Sequence, residues 1–281
     1  MKILTNIKVP GLHQKPILLD VFYKNDSRPK PIVIFSHGFK GFKDWGHWHL
    51  VAQEFAGNEF VFVKFNFSHN GVTEDDLLNF GDLEAFGHNN FSIELDDLGT
   101  VIDFVTREAS PVLQSEMDVD KLYLIGHSRG GGITILKAAE DARVKKIVTW
   151  ASVHDYQKFW GDEFIAGWKE KGVQYIANAR TGQQMPLYWQ LYEDYQKNLE
   201  RLHIPTAIKK LKIPAMLVHG TADPAVPYAA ALEMKEWNPN LELLTIEGGD
   251  HVFSGKHPWN ENSLPEDTTK AINATINFFK F

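Results

Sequence analysis

The sequence predicts an α/β protein with a mostly parallel central sheet, and three observations carry that expectation. Short, continuous apolar runs recur along the chain, each is followed by a turn, and most are separated by segments with apolar positions every three or four residues. Strands buried on both faces read as unbroken apolar runs because crossover helices cover both sides of a parallel sheet. At 281 residues, 43% hydrophobic and 23% charged, the chain is long enough to bury one large core, and a single domain over 1–281 is expected.

The chain opens on two strands, 2–9 and 16–23, joined through Pro10 and Gly11 and expected to form an antiparallel edge. Apolar runs follow at 31–36, 60–65, 121–125, 146–150, 215–219 and 241–246, with helices on both faces expected at 45–56, 92–108, 128–139, 225–237 and 266–279. Between the runs ending at Trp150 and opening at Ala215 lie roughly sixty residues, far more than one crossover requires. That stretch is dense in large aromatics, among them Phe159, Trp160, Phe164, Trp168 and Trp189, with helical spacing in places. Residues 154–212 are expected to form a helical cap or lid insertion over one end of the sheet, within the single domain.

Composition excludes several classes. The formal charge of -7 comes with lysines scattered rather than striped, so nucleic acid is not an expected partner. With no Cys there are no disulfides, thiolate nucleophiles or cysteine metal sites. No stretch approaches the roughly 18 apolar residues of a membrane span, and the N-terminus lacks the layout of a secretory signal; no membrane partner and a cytoplasmic location are the expectations. His47 and His49 flank Trp48 at a spacing that splays their rings on a helix, so no metal site is expected there.

The chemistry concentrates in KLYLIGHSRGGG, a buried strand running through Gly126-His127-Ser128-Arg129-Gly130 into a small-residue helix. A strand–turn–helix of this kind holds its serine on a sharp, exposed elbow, which demands very small flanking residues. Ser128 then sits at a helix N-terminus, where free N–H groups and the dipole favour developing negative charge. A hydroxyl is a weak nucleophile at neutral pH, so it needs a base in hydrogen-bond reach and a third group to hold that base. In this context the acid and then the histidine follow along the chain. Asp223, in HGTADPAVP, and His251, in GGDHVFSG, each lie just beyond a buried strand and so share the carboxyl-end edge with Ser128.

Each residue also has a plainer reading: Asp223 before Pro224 as a turn or helix cap, His251 as a loop histidine, Asp250 as a turn former. His219, inside a strand end, is expected to be a packed core histidine. An oxyanion hole is also required: the elbow offers the Arg129 N–H, and the loop His37-Gly38-Phe39 after an earlier strand offers the Phe39 N–H. Asn66, Ser68 and His69 read either as pocket-lining residues near the same edge or as a solvated loop.

These residues resemble the α/β-hydrolase superfamily and, within it, compact serine esterases related to cinnamoyl and feruloyl esterases and to serine-type dienelactone-hydrolase-like proteins. The resemblance spans nearly the whole chain and is carried by HGFKG (37–41), FNFSHNG (65–71), GHSRGG (126–131), HGTADPAVP (219–227) and GGDHVFSG (248–255). It implies an α/β-hydrolase fold, a Ser128–His251–Asp223 triad with Phe39 and Arg129 as oxyanion donors, and cofactor-independent hydrolysis. Dienelactone hydrolases proper use a cysteine that this chain lacks, so their substrate does not carry over.

The expected function is therefore that of a serine carboxylic ester hydrolase with no metal, acting on a small-molecule ester with an aromatic or short apolar acyl group. A serine peptidase, aminopeptidase or amidase using the same triad is the competing expectation, with Glu163, Glu170, Glu193 and Asp194 as possible holders of a peptide amine. A non-catalytic binding protein is a third. The natural substrate and the oligomeric state are not legible.

Overall fold

In the computed structural model, which describes residues 1–108, 110–112 and 114–281, the apolar runs pair into one eight-stranded sheet. Its strands are β1 (Lys2–Pro10), β2 (Pro16–Tyr23), β3 (Lys30–Ser36), β4 (Val61–Asn66), β5 (Met117–His127), β6 (Val144–Trp150), β9 (Ala215–Gly220) and β10 (Glu242–Ile246), in the spatial order β1-β2-β4-β3-β5-β6-β9-β10. β1–β2 and β2–β4 are antiparallel, and every pair from β4 to β10 is parallel. From β3 the chain moves outward one way to β4, then returns to β5 and builds outward the other way. The β3/β5 boundary is thus the point where strand order reverses, the crevice in which open α/β sheets place their sites. Register brings Ser36 of β3 level with Gly126 of β5, so the loop after β3 and the elbow after β5 leave the sheet side by side.

Alternation along each strand explains the unbroken runs. Val33, Phe35, Phe62, Ile125, Val148 and Val218 face one layer, packed by α1 (Trp48–Gly57) through Trp48 and Phe55 and by α10 (Glu266–Lys280) through Ile272 and Ile276. Ile32, Ile34, Val63, Leu124, Ile147 and Leu217 face the other, packed by α3 (Phe91–Thr106), α4 (Arg129–Glu140), α8 (Ile204–Lys210) and α9 (Ala229–Trp237). A short helix not foreseen in the sequence, α2 (Leu83–His88), precedes α3 and is capped by the Asp82 carboxylate, which accepts from Ala85 N. Helix α9 begins four residues later than expected from 225, because Asp223 and the residues behind it form a tight turn instead.

The stretch between β6 and β9 contains helices, as expected: α5 (Asp162–Lys171), α6 (Gln190–Lys197), α7 (Leu199–Leu202) and α8. It also contains an antiparallel hairpin, β7 (Val173–Ala177) with β8 (Gln184–Tyr188), where the sequence reading has only helix. Trp168 is fully buried and donates its indole N–H to Leu187 O at 2.7 Å, clamping α5 onto the hairpin. Among the described residues no helix is long and apolar enough to cross a membrane.

Candidate active site

Ser128 occupies a sharp strand-to-helix turn, with φ 55° and ψ −120°, a region that non-glycine residues avoid. Two glycines make the turn possible. A Cβ on Gly126 would lie 2.3 Å from Gly130 O, and a Cβ on Gly130 would lie 2.4 Å from both Ser36 O and His37 O. The strained residue is held by backbone bonds: Ser128 N donates to Trp150 O (2.9 Å), and Ser128 O accepts from Gly131 N (3.0 Å) and Val153 N (3.2 Å). The elbow is thereby tied to the end of β6 as well as to β5.

The structure brings the three predicted side chains into one line. His251 Nε2 lies 2.9 Å from Ser128 Oγ, and His251 Nδ1 lies 2.8 Å from Asp223 Oδ2. With Nδ1–H donating to the carboxylate, Nε2 is left to accept the serine proton. The turn reading of Asp223 is also correct, since its Oδ1 accepts from Ala225 N (2.8 Å) and Val226 N (2.9 Å). One oxygen thus orders the loop while the other faces the histidine. Burial raises the Asp223 pKa, but hydrogen bonds from His219 and His251 and the Val226 N–H outweigh it and hold the carboxyl well below its ordinary range. Asp250 forms its turn as expected, with Oδ1 accepting from Val252 N and Ser254 N.

His219 is the buried core residue expected, yet it is not remote from the line: Nε2 donates to Val226 O (2.9 Å) and lies 3.4 Å from Asp223 Oδ2. The sequence reading assigns no role to two further residues that the fold places here. His127 Nε2–H donates to His251 O (2.8 Å), fixing the base through its backbone; burial pushes this histidine down to about 3, so it stays neutral. Its only signal was its place as the x before serine in the elbow. Glu94 on α3 accepts from Arg129 Nε (2.9 Å) and from Asn89 Nδ2 (2.7 Å), in a buried pair whose guanidinium lies 4.5 Å from the Phe91 ring centre. Burial raises the Glu94 carboxyl against the opposing pull of Arg129.

Beside Ser128, the Gly38–Phe39 backbone makes its closest approach: a Cβ on Gly38 would stand 2.8 Å from Ser128 Cβ. Among the described residues neither the Phe39 nor the Arg129 backbone N–H has a protein acceptor. Both are free donors next to the serine. A buried charge network anchors the loop that carries Phe39. Lys43 bridges Asp20 (2.9 Å) and Asp44 (2.6 Å), Lys64 reaches Asp20 (2.7 Å), and Lys43 N donates to Asn66 Oδ1 (2.7 Å).

Asn66, Ser68 and His69 are buried, so they are not a solvated loop. Nor do they line the space around Ser128. Asn66 and Ser68 edge a separate cleft of about 140 Å³ beside Lys15 and Asp82, and His69 Nδ1 bonds Ser68 Oγ at 2.8 Å. His47 is buried against Thr268 Oγ1 (3.1 Å) while His49 is exposed, and no group of metal-ligating side chains occurs among the described residues.

Two cavities meet at Ser128. The larger, about 480 Å³, is walled by Phe91, Trp160, Phe164, Ile176, Leu187 and Leu191, mostly from the stretch between β6 and β9. The smaller, about 310 Å³, runs toward the loop after β3 and the tip of the β7–β8 hairpin. A hollow of about 640 Å³ at the far edge, near Lys146 and Phe278, is remote from this chemistry.

A twisted, mostly parallel sheet with a serine on a strained elbow, facing a histidine held by an aspartate, defines a serine hydrolase of the α/β-hydrolase fold. The prolyl oligopeptidase family matches over residues 93–264, and the chain belongs to that family. No curated protein matches it by sequence. Among solved structures, Est1E from Butyrivibrio proteoclasticus superposes with a TM-score of 0.70 at 17% identity, covering 99% of each chain, and has also been solved with ferulic acid bound. The esterase domain of a Rhodothermus marinus protein gives 0.65 at 17% identity over 99% of this chain and 98% of that one. A puromycin-hydrolysing peptidase of Mycobacterium tuberculosis gives 0.67 at 15% identity, over 99% of this chain and 39% of that one. At these identities the likeness is one of fold.

Proposed function

We propose that the protein is a carboxylic ester hydrolase that works through an acyl-enzyme on Ser128, with residues 154–212 serving as a cap that shapes the acyl site. Ser128 Oγ attacks the ester carbonyl carbon as its proton passes to His251 Nε2. The carbonyl oxygen, now an anion, is met by the Phe39 and Arg129 N–H groups, each worth roughly 3 kcal/mol in such a role. Collapse expels the alkoxide, which takes the proton back from Nε2; water then repeats the sequence on the acyl-enzyme. Asp223, held ionised, stabilises the imidazolium that forms between steps.

The observation that carries the reading is the 2.9 Å contact between Nε2 and Oγ, at the floor of an apolar cavity with no carboxylate in its wall. Cavities of this size and lining suit the apolar body of a small acyl group, here with aromatic faces from Phe91 and Trp160. An aminopeptidase needs an acidic group to hold the peptide amine, and the positions of the residues named for that task favour the ester reading. Glu163, Glu170 and Glu193 are exposed, and Asp194 is engaged with Ser92 N and Asn198 Nδ2. None of the four lines either cavity.

Membership of the prolyl oligopeptidase family favours the second reading, a peptidase or amidase with the same triad. Turnover of nitrophenyl esters of graded acyl length, compared with amino-acid and prolyl anilides, separates the two. The proposal expects ester kcat/KM to exceed anilide kcat/KM and to rise with an aromatic or short apolar acyl group. Efficient anilide cleavage with negligible ester cleavage overturns it.

A further inference from the structure

The smaller cavity at Ser128 is chemically unlike the larger. To Lys40, which lines both cavities, its wall adds Asn178, Arg180 and His257, and like the larger it contains no Asp or Glu, in a chain with 36 acidic residues against 29 basic ones. The buried cations among the described residues are paired with carboxylates, among them Lys30 with Glu116, Lys43 and Lys64 with Asp20, and Arg129 with Glu94, whereas Lys40 is half-buried and Arg180 exposed. Among the described residues, Lys40 and Arg180 make no ion pair. Lys40 Nζ touches only Ala177 O, at 3.2 Å, and the Arg180 guanidinium donates only to Leu78 O (3.0 Å) and Asn79 Oδ1 (3.1 Å). Neutral acceptors position both groups; Arg180 also acts on the Asp76 carboxylate, which forms no ion pair with it and is not part of the cavity wall.

Two neutral donors stand on the same wall. Asn178, 7% exposed, spends its Oδ1 on Arg180 N (3.2 Å), while its buried Nδ2 has no partner. A buried amide donor without an acceptor costs stability, which a ligand acceptor recovers. His257 Nδ1 accepts from Gly46 N at 2.8 Å, which puts the ring proton on Nε2 and makes that atom a donor. Burial, with the nearby Arg180 charge, lowers the His257 pKa and keeps it a neutral donor. Two unpaired cations and two donors around about 310 Å³, with no carboxylate, match an anion of several acceptor oxygens.

We infer that this cavity binds a carboxylate or phosphate group carried by the alcohol half of the substrate, so that the preferred esters join an apolar acyl group to an anionic alcohol. The inference rests on the ester reading above, which places the acyl group in the apolar cavity. Charge-assisted contacts to the anion set specificity for the alcohol and steer its approach.

Three butyryl esters of one phenol framework test it: of methyl 4-hydroxybenzoate, of 4-hydroxybenzoate, and of 4-hydroxyphenyl phosphate. The neutral ester reports whether esters are hydrolysed at all, and the anionic-to-neutral ratio of kcat/KM reports this cavity. The expected ratio is about tenfold or more at low salt for at least one anionic ester, shrinking as salt is added. The anion preferred identifies the source. In the Lys40→Met/Arg180→Met double variant the ratio falls to about one, and Asn178→Ala lowers it severalfold. A second readout needs no turnover: benzoate and phenyl phosphate slow fluorophosphonate labelling of Ser128 in the wild type, methyl benzoate does not, and the double variant loses the protection. A ratio at or below one for both anions with no protection, or a ratio unchanged in the double variant, overturns the inference.

Discussion

Asp223 performs two tasks with two oxygens, and the division fixes what its replacement does. An asparagine at this position would keep the Oδ1 contacts to Ala225 and Val226 N–H and so preserve the loop. Its other end is then an amide, which offers His251 Nδ1 a donor instead of an acceptor and stabilises the wrong tautomer. Asp223→Asn is expected to lower kcat by about 10³- to 10⁴-fold while shifting the melting temperature by a few degrees at most. Steady-state kinetics beside a thermal melt checks this. A comparable loss of folded protein would mean that the carboxylate is structural.

At the scale of elements, the site depends on how closely β3, β5 and α4 approach. Gly130 is where the three touch, since a Cβ there meets Ser36 O and His37 O at 2.4 Å. Both neighbours are backbone, so Gly130→Ala must push the elbow away from the loop bearing Phe39. A destabilisation of about 2–4 kcal/mol is expected, together with a fall in kcat larger than the change in KM. Urea unfolding and kinetics on the same preparation read both; wild-type stability would contradict the packing described. The elbow and the strand before Asp223 were legible because each is a buried apolar run ending in a small-residue turn; β10 before His251 has the same apolar run and turn but, as the edge strand, buries only Ile246. The β7–β8 hairpin was not, because its strands are short, β8 carries Pro186, and their aromatics also fit a helical period. The Glu94–Arg129 pair was hidden for a different reason. Its members are 35 residues apart and meet only because α3 packs on α4. Asn66, Ser68 and His69 were read either as pocket-lining or as a solvated loop, whereas they are buried, with Asn66 Oδ1 accepting from Lys43 N and Ser68 N donating to Asp97 Oδ2.

For the whole molecule, buried titratable groups set how stability varies with pH. Burial holds His37, His47 and His69 at about 4 and His127 at about 3. These histidines remain neutral in the fold while the unfolded chain takes up protons below about 6.5, so stability falls as pH drops from there toward 4. Asp97 on α3 acts in the opposite sense. Burial raises its carboxyl to about 7, Oδ2 accepts from Ser68 N, and Oδ1 has no partner. The fold therefore prefers Asp97 protonated, and its contribution declines as pH rises from about 4 through 7. Glu94, whose carboxyl burial also raises, acts in the same sense as Asp97; the four histidines outweigh these two carboxyls, so melting temperature is expected to climb from pH 4 to about 6.5 and to level or decline slightly above it. Asp97→Asn should raise the melting temperature at pH 8 more than at pH 5, and an equal shift at both would contradict this assignment.

The central claim is an acyl-enzyme on Ser128, formed by a base that Asp223 holds in place. The most direct measurement is the intact mass of the protein quenched during turnover of a slowly deacylating aryl ester, followed by mapping of the modified peptide. A mass increase equal to the acyl group, located on Ser128 and absent from Ser128→Ala, is the expected result. Continued turnover by Ser128→Ala, with no acyl group on the wild-type serine, would contradict the account.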